Sequence, residues 1–596
     1  MPPFPRKRAA SAQPPASGTS AGPASPSRRA FLQSAGIFAA GAVAGGAGGA
    51  AIGAMVGAGN PELDFEPDEA TPRKAFEHIV VLMYENRSFD NLLGWLYRDD
   101  EIPAGASFDG LHQGDYSNPA PHGHPDVKAH VYGGSTDIIM SSPHPDPGEA
   151  YPHVNTQFFG TVDAANHNTP PFGAEATMKG FVTDYVENYE HLSGGTKKPN
   201  REQYSLAMGG FSPEMLPVFS TLAKGFAVYD HWHCAVPSQT FCNRSFFHAA
   251  TSHGFVTNQG DGGYEKWLDP DRADAPTVFN RLEEAGIPWR VYYDAAQLVS
   301  MTGVLHAPAT EKYWKSNFRT LDQFYLDVES GNLPAYSFIE PRMVFNHNDM
   351  HPPYGVLREG SDGFGDDVLD GAVSDVRAGE ALLHYIYSAI KNSTSPTGSN
   401  AMNTMLFVTF DEHGGTYDHV PPGAAVPPGD GKQGEMGFGF DRLGGRVPAI
   451  AISAYTQKNT IINDPMQHSA LVATLSRQHG LAPLTNRDAE SMDMFNAINR
   501  RSPRPVSDWP TTMPHYVPPN PDENLDPNAP EHRAKKLSSP AKGLIGLLMA
   551  KYANPDARVP DTYEQAFAAL VMHGRGLFGT LDGSANEGDE DGNPDN

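Results

Sequence analysis

Short, mostly apolar runs recur along the chain and are separated by polar or turn-forming stretches. A run without polar alternation is typical of a strand that is covered on both faces. The pattern predicts strands at residues 78–83, 226–230, 289–293, 335–339, 405–410 and 447–453.

Apolar residues at helical spacing lie between these runs. They predict helices at 178–189, 213–224, 243–253, 276–285, 376–391 and 467–478, with Ser212 as the cap of the second and Gly254, Gly286 and Gly480 closing three others. Because helices alternate with strands, we expect an α/β protein with a mostly parallel sheet.

The remaining segments lack such periodicity. Residues 100–175 are rich in Pro, His, Gly and Asp and predict a long ordered loop insertion, which offers His144, Asp146, Glu149 and His153 as polar candidates. The acidic, Gly-punctuated stretch 361–371 is typical of a solvated loop, although its aspartates could bind calcium.

Composition changes again after residue 500. A Pro-rich stretch is followed by predicted helices at 540–552 and 563–573 and by an acidic end. We therefore expect a main domain at 61–500, a Pro-rich and helical appendage at 501–581, and an acidic disordered tail at 582–596.

The first 60 residues are typical of an export signal. SRRAFLQ at 27–33 precedes a Gly/Ala-rich apolar run at 34–59, and this arrangement matches a twin-arginine signal, which directs export of folded proteins. The partner would be the twin-arginine translocase, and the protein would be periplasmic, extracellular or envelope-anchored. The apolar run is also long enough to stay in the membrane as an anchor.

The net charge of the chain disfavours some classes of binding partner. The 596 residues carry a formal net charge of −27, which argues against a general binder of nucleic acid or anionic membranes. A phosphate-bearing substrate would need local compensation from a metal, from histidines or from helix N-termini.

Several oxygen-bearing side chains follow predicted strands. Glu85, Asn86, Asp411 and Glu412 come directly after apolar runs, and Thr240 precedes a predicted helix. In a parallel sheet these positions meet at the carboxyl edge. An all-oxygen set suits one hard or borderline divalent cation, which would make the Thr240 hydroxyl a better nucleophile. Taken alone, Thr240 is more consistent with a simple helix cap, and the other oxygen-bearing segments are what favour the catalytic interpretation.

The only two cysteines, Cys234 and Cys242, flank Thr240. Export to an oxidising compartment permits a disulfide between them, but both are equally consistent with small buried hydrophobic residues.

Four motifs resemble one family. ENRSFD at 85–90, the T-x-x-N-R segment at 240–244, the His-Pro pair at 351–352 and FDEHGGTYDHVPP at 410–422 are similar to bacterial phosphoesterases, which include non-haemolytic-type phospholipases C and a group of acid phosphatases. The resemblance runs from about residue 78 to 482. It implies an alkaline-phosphatase-like, three-layer α/β/α sandwich, one divalent metal ion and a hydroxyl nucleophile that is transiently phosphorylated.

The resemblance also implies residue roles. Thr240 would be the nucleophile and would hold the metal together with Glu85, Asn86, Asp411 and Glu412. His144 and His351 would contact phosphoryl oxygens or protonate the leaving group. Arg244, His153 and His419 are candidates for substrate binding, although His153 and His419 are also consistent with structural histidines.

The chain departs from the family pattern at Cys242, where Pro is usual, and at Gly148-Glu149, where a GHS-type sequence is common. Substrate preference is thus open. The expected function is an exported, metal-dependent phospholipase C that acts on phospholipid head groups through a phosphothreonine intermediate. The alternatives are an acid phosphatase for soluble phosphomonoesters and a non-catalytic envelope binding protein. Metal identity and oligomeric state stay open.

We predict that Arg28→Lys combined with Arg29→Lys strands the protein in the cytoplasm, because the translocase reads the arginine pair. Cell fractionation with immunodetection measures this, with Arg6→Lys plus Arg8→Lys as the matched control outside the motif. Normal export of the Arg28/Arg29 variant would contradict the twin-arginine assignment.

Overall fold

A computed structural model describes residues 75–133, 139–160, 174–359, 367–372, 374–515, 533–554 and 557–582, and the side chains of all of these except 354–359 and 367–372. The signal segment expected at 1–60 and residues 583–596 of the tail expected at 582–596 lie outside these ranges, whereas Asp582 is described and pairs with Arg290 and Arg319. Within them, no helix is long and apolar enough to cross a bilayer.

Eight strands form one sheet. They are β1 His78–Tyr84, β2 Ala227–Tyr229, β3 Trp289–Tyr293, β4 Phe318–Thr320, β5 Tyr336–Ile339, β6 Thr404–Phe410, β7 Ala449–Ile452 and β8 Thr460–Ile462, in the order β8-β2-β7-β6-β1-β5-β3-β4. Of these, β7 alone is antiparallel to its neighbours. All other pairs are parallel. The expected α/β class with a mostly parallel sheet is confirmed.

The helices connect and cover these strands. The described ones are α1 Phe89–Leu92, α2 Tyr151–Phe159, α3 Phe181–Leu192, α4 Arg201–Ser205, α5 Pro217–Gly225, α6 Thr240–Ala249, α7 Val278–Glu284, α8 Met301–Leu305, α9 Ala307–Thr310, α10 Trp314–Asn317, α11 Leu321–Ser330, α12 Val376–Lys391, α13 Ala470–His479, α14 Asn486–Glu490, α15 Ser539–Tyr552 and α16 Tyr563–Ala569.

Helices lie on both faces of the sheet. Val81 of β1 is in register with Phe338 of β5, so their side chains share a face, whereas Tyr84 points to the opposite face because side chains alternate along a strand. The Phe338 ring lies 6.1 Å from Phe247 of α6, and the Tyr84 ring lies 5.8 Å from Phe219 of α5. The architecture is thus a three-layer α/β/α sandwich.

The central strands are the most reliably predicted elements. β1 and β6 are buried almost throughout, and α12 spans the predicted residues. Two short strands, β4 and β8, were not predicted, because their sequences FRT and TII include polar residues and lack the continuous apolar run that predicted the equally short β2.

Four predicted helix starts are displaced by three or four residues, and two of these, at Phe181 instead of 178 and at Ala470 instead of 467, leave the helix itself in place. The helix expected at 213–224 begins at Pro217, with Leu216 rather than Ser212 at its N-cap, because proline is favoured in the first turn of a helix and disrupts an interior. The helix expected at 243–253 with Gly254 closing it runs Thr240–Ala249 instead, and its C-cap is Ala250, whose φ is 55°. Thr240 is therefore the first residue of α6.

Two predicted loops contain regular structure. Within 100–175, α2 is closed by Gly160 at φ 67° and packs against α3 through an apolar cluster that includes Phe158 and Phe181. In the acidic stretch, Asp367–Ala372 pairs antiparallel with Tyr354–Glu359, so the solvated-loop prediction is wrong for 367–371. Residues 361–366 lie outside the described ranges.

Helix α15 is the first of the two described α-helices near the C-terminus and is called the C-terminal helix below. It packs closely on the residues around α6. Its face carries Gly543 and Gly546, where an added Cβ would lie 2.8 Å from the Phe241 ring and 2.2 Å from the Tyr264 ring, respectively. Only glycine permits such a close approach. The beginning of α6 is thus covered by the C-terminal segment.

Candidate active site

Two acidic segments meet at the carboxyl ends of β1 and β6. These strands are adjacent and parallel, with Tyr84 in register with Phe410, so the residues that follow them lie side by side. The backbone N–H of Asn86 donates to Asp411 Oδ1 at 2.9 Å. This places Glu85, Asn86 and Asp411 at one buried edge, as the sequence predicted.

Thr240 and Arg244 approach the same edge from α6. The Thr240 hydroxyl donates to Glu85 Oε2 at 3.2 Å, while Arg244 Nε and Nη2 donate to Glu85 Oε1 at 3.0 and 2.5 Å. Residues four apart lie on the same side of a helix, so one carboxylate contacts both. The start of α6 at Thr240 is what makes this contact possible.

The carboxylates at this buried edge, called the acidic edge below, carry more negative charge than the neighbouring side chains neutralise. Burial raises the pKa of Glu85 well above its ordinary value; Arg244 lowers it, and Asp411 raises it further. Burial is also the largest cause of the raised pKa values of Asp411 and Glu412.

Three buried oxygens at this edge have no hydrogen-bond partner among the described residues: Asn86 Oδ1, Asp411 Oδ2 and Glu412 Oε1. Buried acceptors without a donor are unfavourable, and oxygen donors of this kind are the ligands that hard divalent cations prefer. The residues present therefore fit a divalent cation.

His351 lies next to this edge and is held by Asp349. His351 Nδ1 and His347 Nδ1 lie 2.9 and 3.3 Å from the two Asp349 oxygens, and the Asp349 carbonyl accepts from Glu85 N–H at 2.9 Å. Burial raises the pKa of Asp349, but the two histidines outweigh this and hold it below its usual range. His351 Nε2 has no hydrogen-bond partner among the described residues.

Sequence reasoning missed Asp349. Its signal is the spacing HNDMH at 347–351, which places an acid between two histidines. The ligand atoms of His347, Asp349 and His351 all lie within 4.8 Å of one another.

The loop that carries His144 reaches the edge from another side. His144, Asp146 and Glu149 are buried on it, and Asn86 Nδ2 donates to Glu149 Oε1. The sequence singled out Glu149 as a polar candidate but assigned it no role.

The three proposed substrate-binding residues are engaged by protein carboxylates. Arg244 is buried against Glu85. His153 Nδ1 lies 2.7 Å from Asp184, and about a quarter of its side chain is exposed, at 27%. His419 uses both ring nitrogens, at 2.7 Å from Asp90 and 2.9 Å from Asp109.

Cys234 and Cys242 are both buried and not bonded to each other. Burial raises the pKa of each thiol. Both therefore pack as small apolar residues in the core next to Thr240.

Comparison with known proteins gives a consistent assignment. The model of the phosphoesterase family matches residues 76–482. Non-specific phospholipase C3 of Arabidopsis thaliana is 34% identical over 456 residues, covering 73% of this chain and 75% of that protein. Non-specific phospholipase C5 of the same plant is 33% identical over 460 residues, covering 74% and 77%. Phospholipase C A of Mycobacterium tuberculosis is 26% identical over 468 residues, covering 72% and 78%.

His419 generates a pH-dependent prediction. Burial lowers its pKa, but the charge of Asp90 and hydrogen bonds with Asp109 and Asp90 outweigh this and raise it to about 9, against 6.5 for a free histidine. A pKa raised on folding means that the stabilisation is complete below pH 6.5 and is lost as the pH rises through 9.

We therefore expect wild-type stability to fall more steeply between pH 6.5 and 9 than that of His419→Gln. The difference should reach about 3 kcal/mol at most, at ~1.4 kcal/mol per pKa unit. Denaturant unfolding at several pH values measures it, and exposed His122→Gln should keep the wild-type slope. Equal slopes for wild type and His419→Gln would contradict the assigned ion pairs.

Proposed function

The chain belongs to the phosphoesterase family and is a hydrolase of phosphoric esters, and on this premise we propose that it is an exported, metal-dependent phospholipase C. It would cleave the phosphorylated head group from a phospholipid through a phosphothreonine intermediate on Thr240. The relatives that match about three quarters of the chain carry the name phospholipase C, which supports this substrate class.

One observation carries the proposal. The Thr240 hydroxyl, at the first position of α6, donates to Glu85 beside three unpartnered acceptors on Asn86, Asp411 and Glu412. A simple cap would bond the backbone of its own helix, but the Thr240 hydroxyl donates to Glu85, and the Phe241 N–H at this end of α6 donates to Asn258 Oδ1 at 3.0 Å. The hydroxyl instead faces the acidic edge.

Thr240 Oγ1 would attack phosphorus, forming the Thr240–phosphorus bond as the bond to the diacylglycerol oxygen breaks. Donation of its proton towards Glu85 Oε2 leaves the lone pairs of Oγ1 for phosphorus. The positive end of the α6 dipole favours the developing negative charge. Water would then hydrolyse the phosphothreonine ester and release the phosphorylated head group.

His351 would serve the leaving group. Because Asp349 holds Nδ1, the proton-transferring atom is Nε2, which is buried and has no other hydrogen-bond partner among the described residues. Protonation of the diacylglycerol oxygen by a positioned histidine is worth roughly 10²–10⁴-fold in rate. His144 is the second candidate for contact with phosphoryl oxygens.

Glu85, Asn86, Asp411 and Glu412 would hold the cation together with Thr240. When bound, a divalent cation lowers the pKa of a coordinated hydroxyl and offsets negative charge on the phosphoryl group. The net charge of −27 makes such local compensation necessary for an anionic substrate.

Thr240→Ala should lower kcat at least about a thousandfold, ~4 kcal/mol of barrier, because the attacking oxygen is lost. Thr240→Ser should keep part of the activity, since the oxygen remains and only rotamer restriction by the methyl group is lost. Steady-state kinetics measure this, with thermal unfolding to verify the fold.

Ser238→Ala is the matched control, because Ser238 lies two residues earlier and its hydroxyl donates to the Val256 carbonyl. It should retain most of the activity. A near-normal rate for Thr240→Ala with an inactive Ser238→Ala would instead assign the attack to Ser238.

The substrate class is tested by comparing the turnover of an aryl phosphorylcholine, which is a phosphodiester, with that of a soluble aryl phosphate, which is a phosphomonoester. A phospholipase C should prefer the diester, and a chelator should abolish its turnover until a divalent cation is restored. Preference for the monoester would favour the acid phosphatase alternative, and no turnover of either would favour a binding protein.

A further inference from the structure

The C-terminal helix α15 contacts the candidate active site, although it lies outside residues 76–482, which the family model matches. Its first residue, Ser539, donates from Oγ to Glu149 Oε2 at 3.4 Å. The preceding Ser538 caps the helix by accepting from Ala541 N–H at 3.2 Å, and its hydroxyl donates to the Met343 carbonyl at 3.4 Å. The helix start is thus fixed at this point.

Packing holds the rest of α15 in place. Gly543 lies against the ring of Phe241, the residue after Thr240, at a distance that excludes any larger side chain. Leu544, Ile545 and Leu548 are fully buried. Because this packing fixes the position of α15, its first residue, Ser539, can keep a defined contact with Glu149.

Glu149 links Ser539 to Asn86. Its side chain is buried, Oε2 accepts from Ser539, and Oε1 accepts from Asn86 Nδ2.

The contact determines which way the Asn86 amide points. An amide has one donating and one accepting end, and a carboxylate oxygen can pair only with the donating end. With Nδ2 on Glu149, the accepting Oδ1 is turned away, and it has no donor among the described residues. A rotated amide would place two N–H donors, which cannot bind a cation, at the acidic edge.

We propose that Glu149, supported by Ser539 of the C-terminal helix, is a positioning residue that turns Asn86 Oδ1 towards the cation site. The segment beyond the family's matched region would then be a working part of the active site. This inference rests on the proposed function, since it assigns Asn86 to the metal.

Calorimetric titration of the chelator-stripped full chain with Mn²⁺ tests it, because an oxygen-rich site suits that cation. Glu149→Ala should weaken Mn²⁺ binding roughly 10–100-fold, the usual cost of losing an outer partner of a metal ligand. Glu149→Gln keeps an oxygen for Asn86 Nδ2 and should recover most of that loss. Wild type that binds no Mn²⁺, or a Gln variant as weak as the Ala variant, would overturn the proposal.

A double-mutant cycle with Asn86→Ala separates positioning from direct ligation. If Glu149 acts through Asn86, the double variant should bind Mn²⁺ about as weakly as the weaker single variant, because coupled residues do not contribute additively. Additive losses would mean that Glu149 acts independently of Asn86 and would overturn the proposal.

Ser539→Ala should weaken Mn²⁺ binding by a few-fold, within the roughly 0.5–1.5 kcal/mol of one hydrogen bond. Exposed Ser507→Ala is its control and should bind as wild type does. If Ser539→Ala bound Mn²⁺ as tightly as wild type does, the claim that the C-terminal helix supports Glu149 would be wrong.

Glu380→Ala controls for general destabilisation, since Glu380 is a buried carboxylate that accepts from Val218 and Phe219 N–H at the start of α5. It should lower Tm and leave Mn²⁺ affinity unchanged; an equal loss of affinity would overturn the proposal. Mn²⁺ binding is measured without substrate, so a chain that binds Mn²⁺ with the expected coupling but cleaves no phosphodiester would contradict the proposed function alone.

Discussion

The structure depends on keeping several carboxylates buried at the ends of two adjacent parallel strands. Isolated burial of a charge is costly, and each hydrogen bond to a charged group returns only about 1.5–3 kcal/mol. Asp411 Oδ1 accepts from the backbone N–H groups of Asn86 and Glu412, and Glu85 accepts from Arg244. Oxygens of Asn86, Asp411 and Glu412 remain without donors among the described residues. A bound cation would complete the balance, so the constraint that shapes this part of the fold also supports the proposed chemistry.

A second polar network ties the two acidic motifs together away from that edge. Arg446 donates to Asp90, which ends the first motif, at 2.9 Å, and to Asp418 of the second at 2.8 Å. His419 bonds Asp90 from the same side. The early residues of each motif therefore lie at the candidate site, while the late ones hold the two motifs together. This division explains why His419, a candidate for substrate binding, is occupied by structural ion pairs.

The sequence predicted the parts that depend on local pattern. Buried strands such as β1 and β6 are apolar throughout, and polar residues just beyond them must meet at the carboxyl edge. It failed where tertiary contacts decide the outcome. The Thr240–Glu85 contact joins residues 155 positions apart, and the Ser539–Glu149 contact joins residues 390 positions apart. Neither leaves a periodic signal. The metal-ligand and substrate roles, the domain limits and the export signal remain predictions.

The central claim is that Thr240 forms a covalent bond to phosphorus. Acid quenching of the wild-type enzyme during turnover of a phospholipid labelled in its phosphorylcholine group, followed by peptide mapping, measures this directly. The account predicts label on the peptide that contains Thr240, on that residue, and its absence from Thr240→Ala. Full turnover with no labelled peptide, or label on another residue, would contradict it and assign the attack to water or to a different side chain.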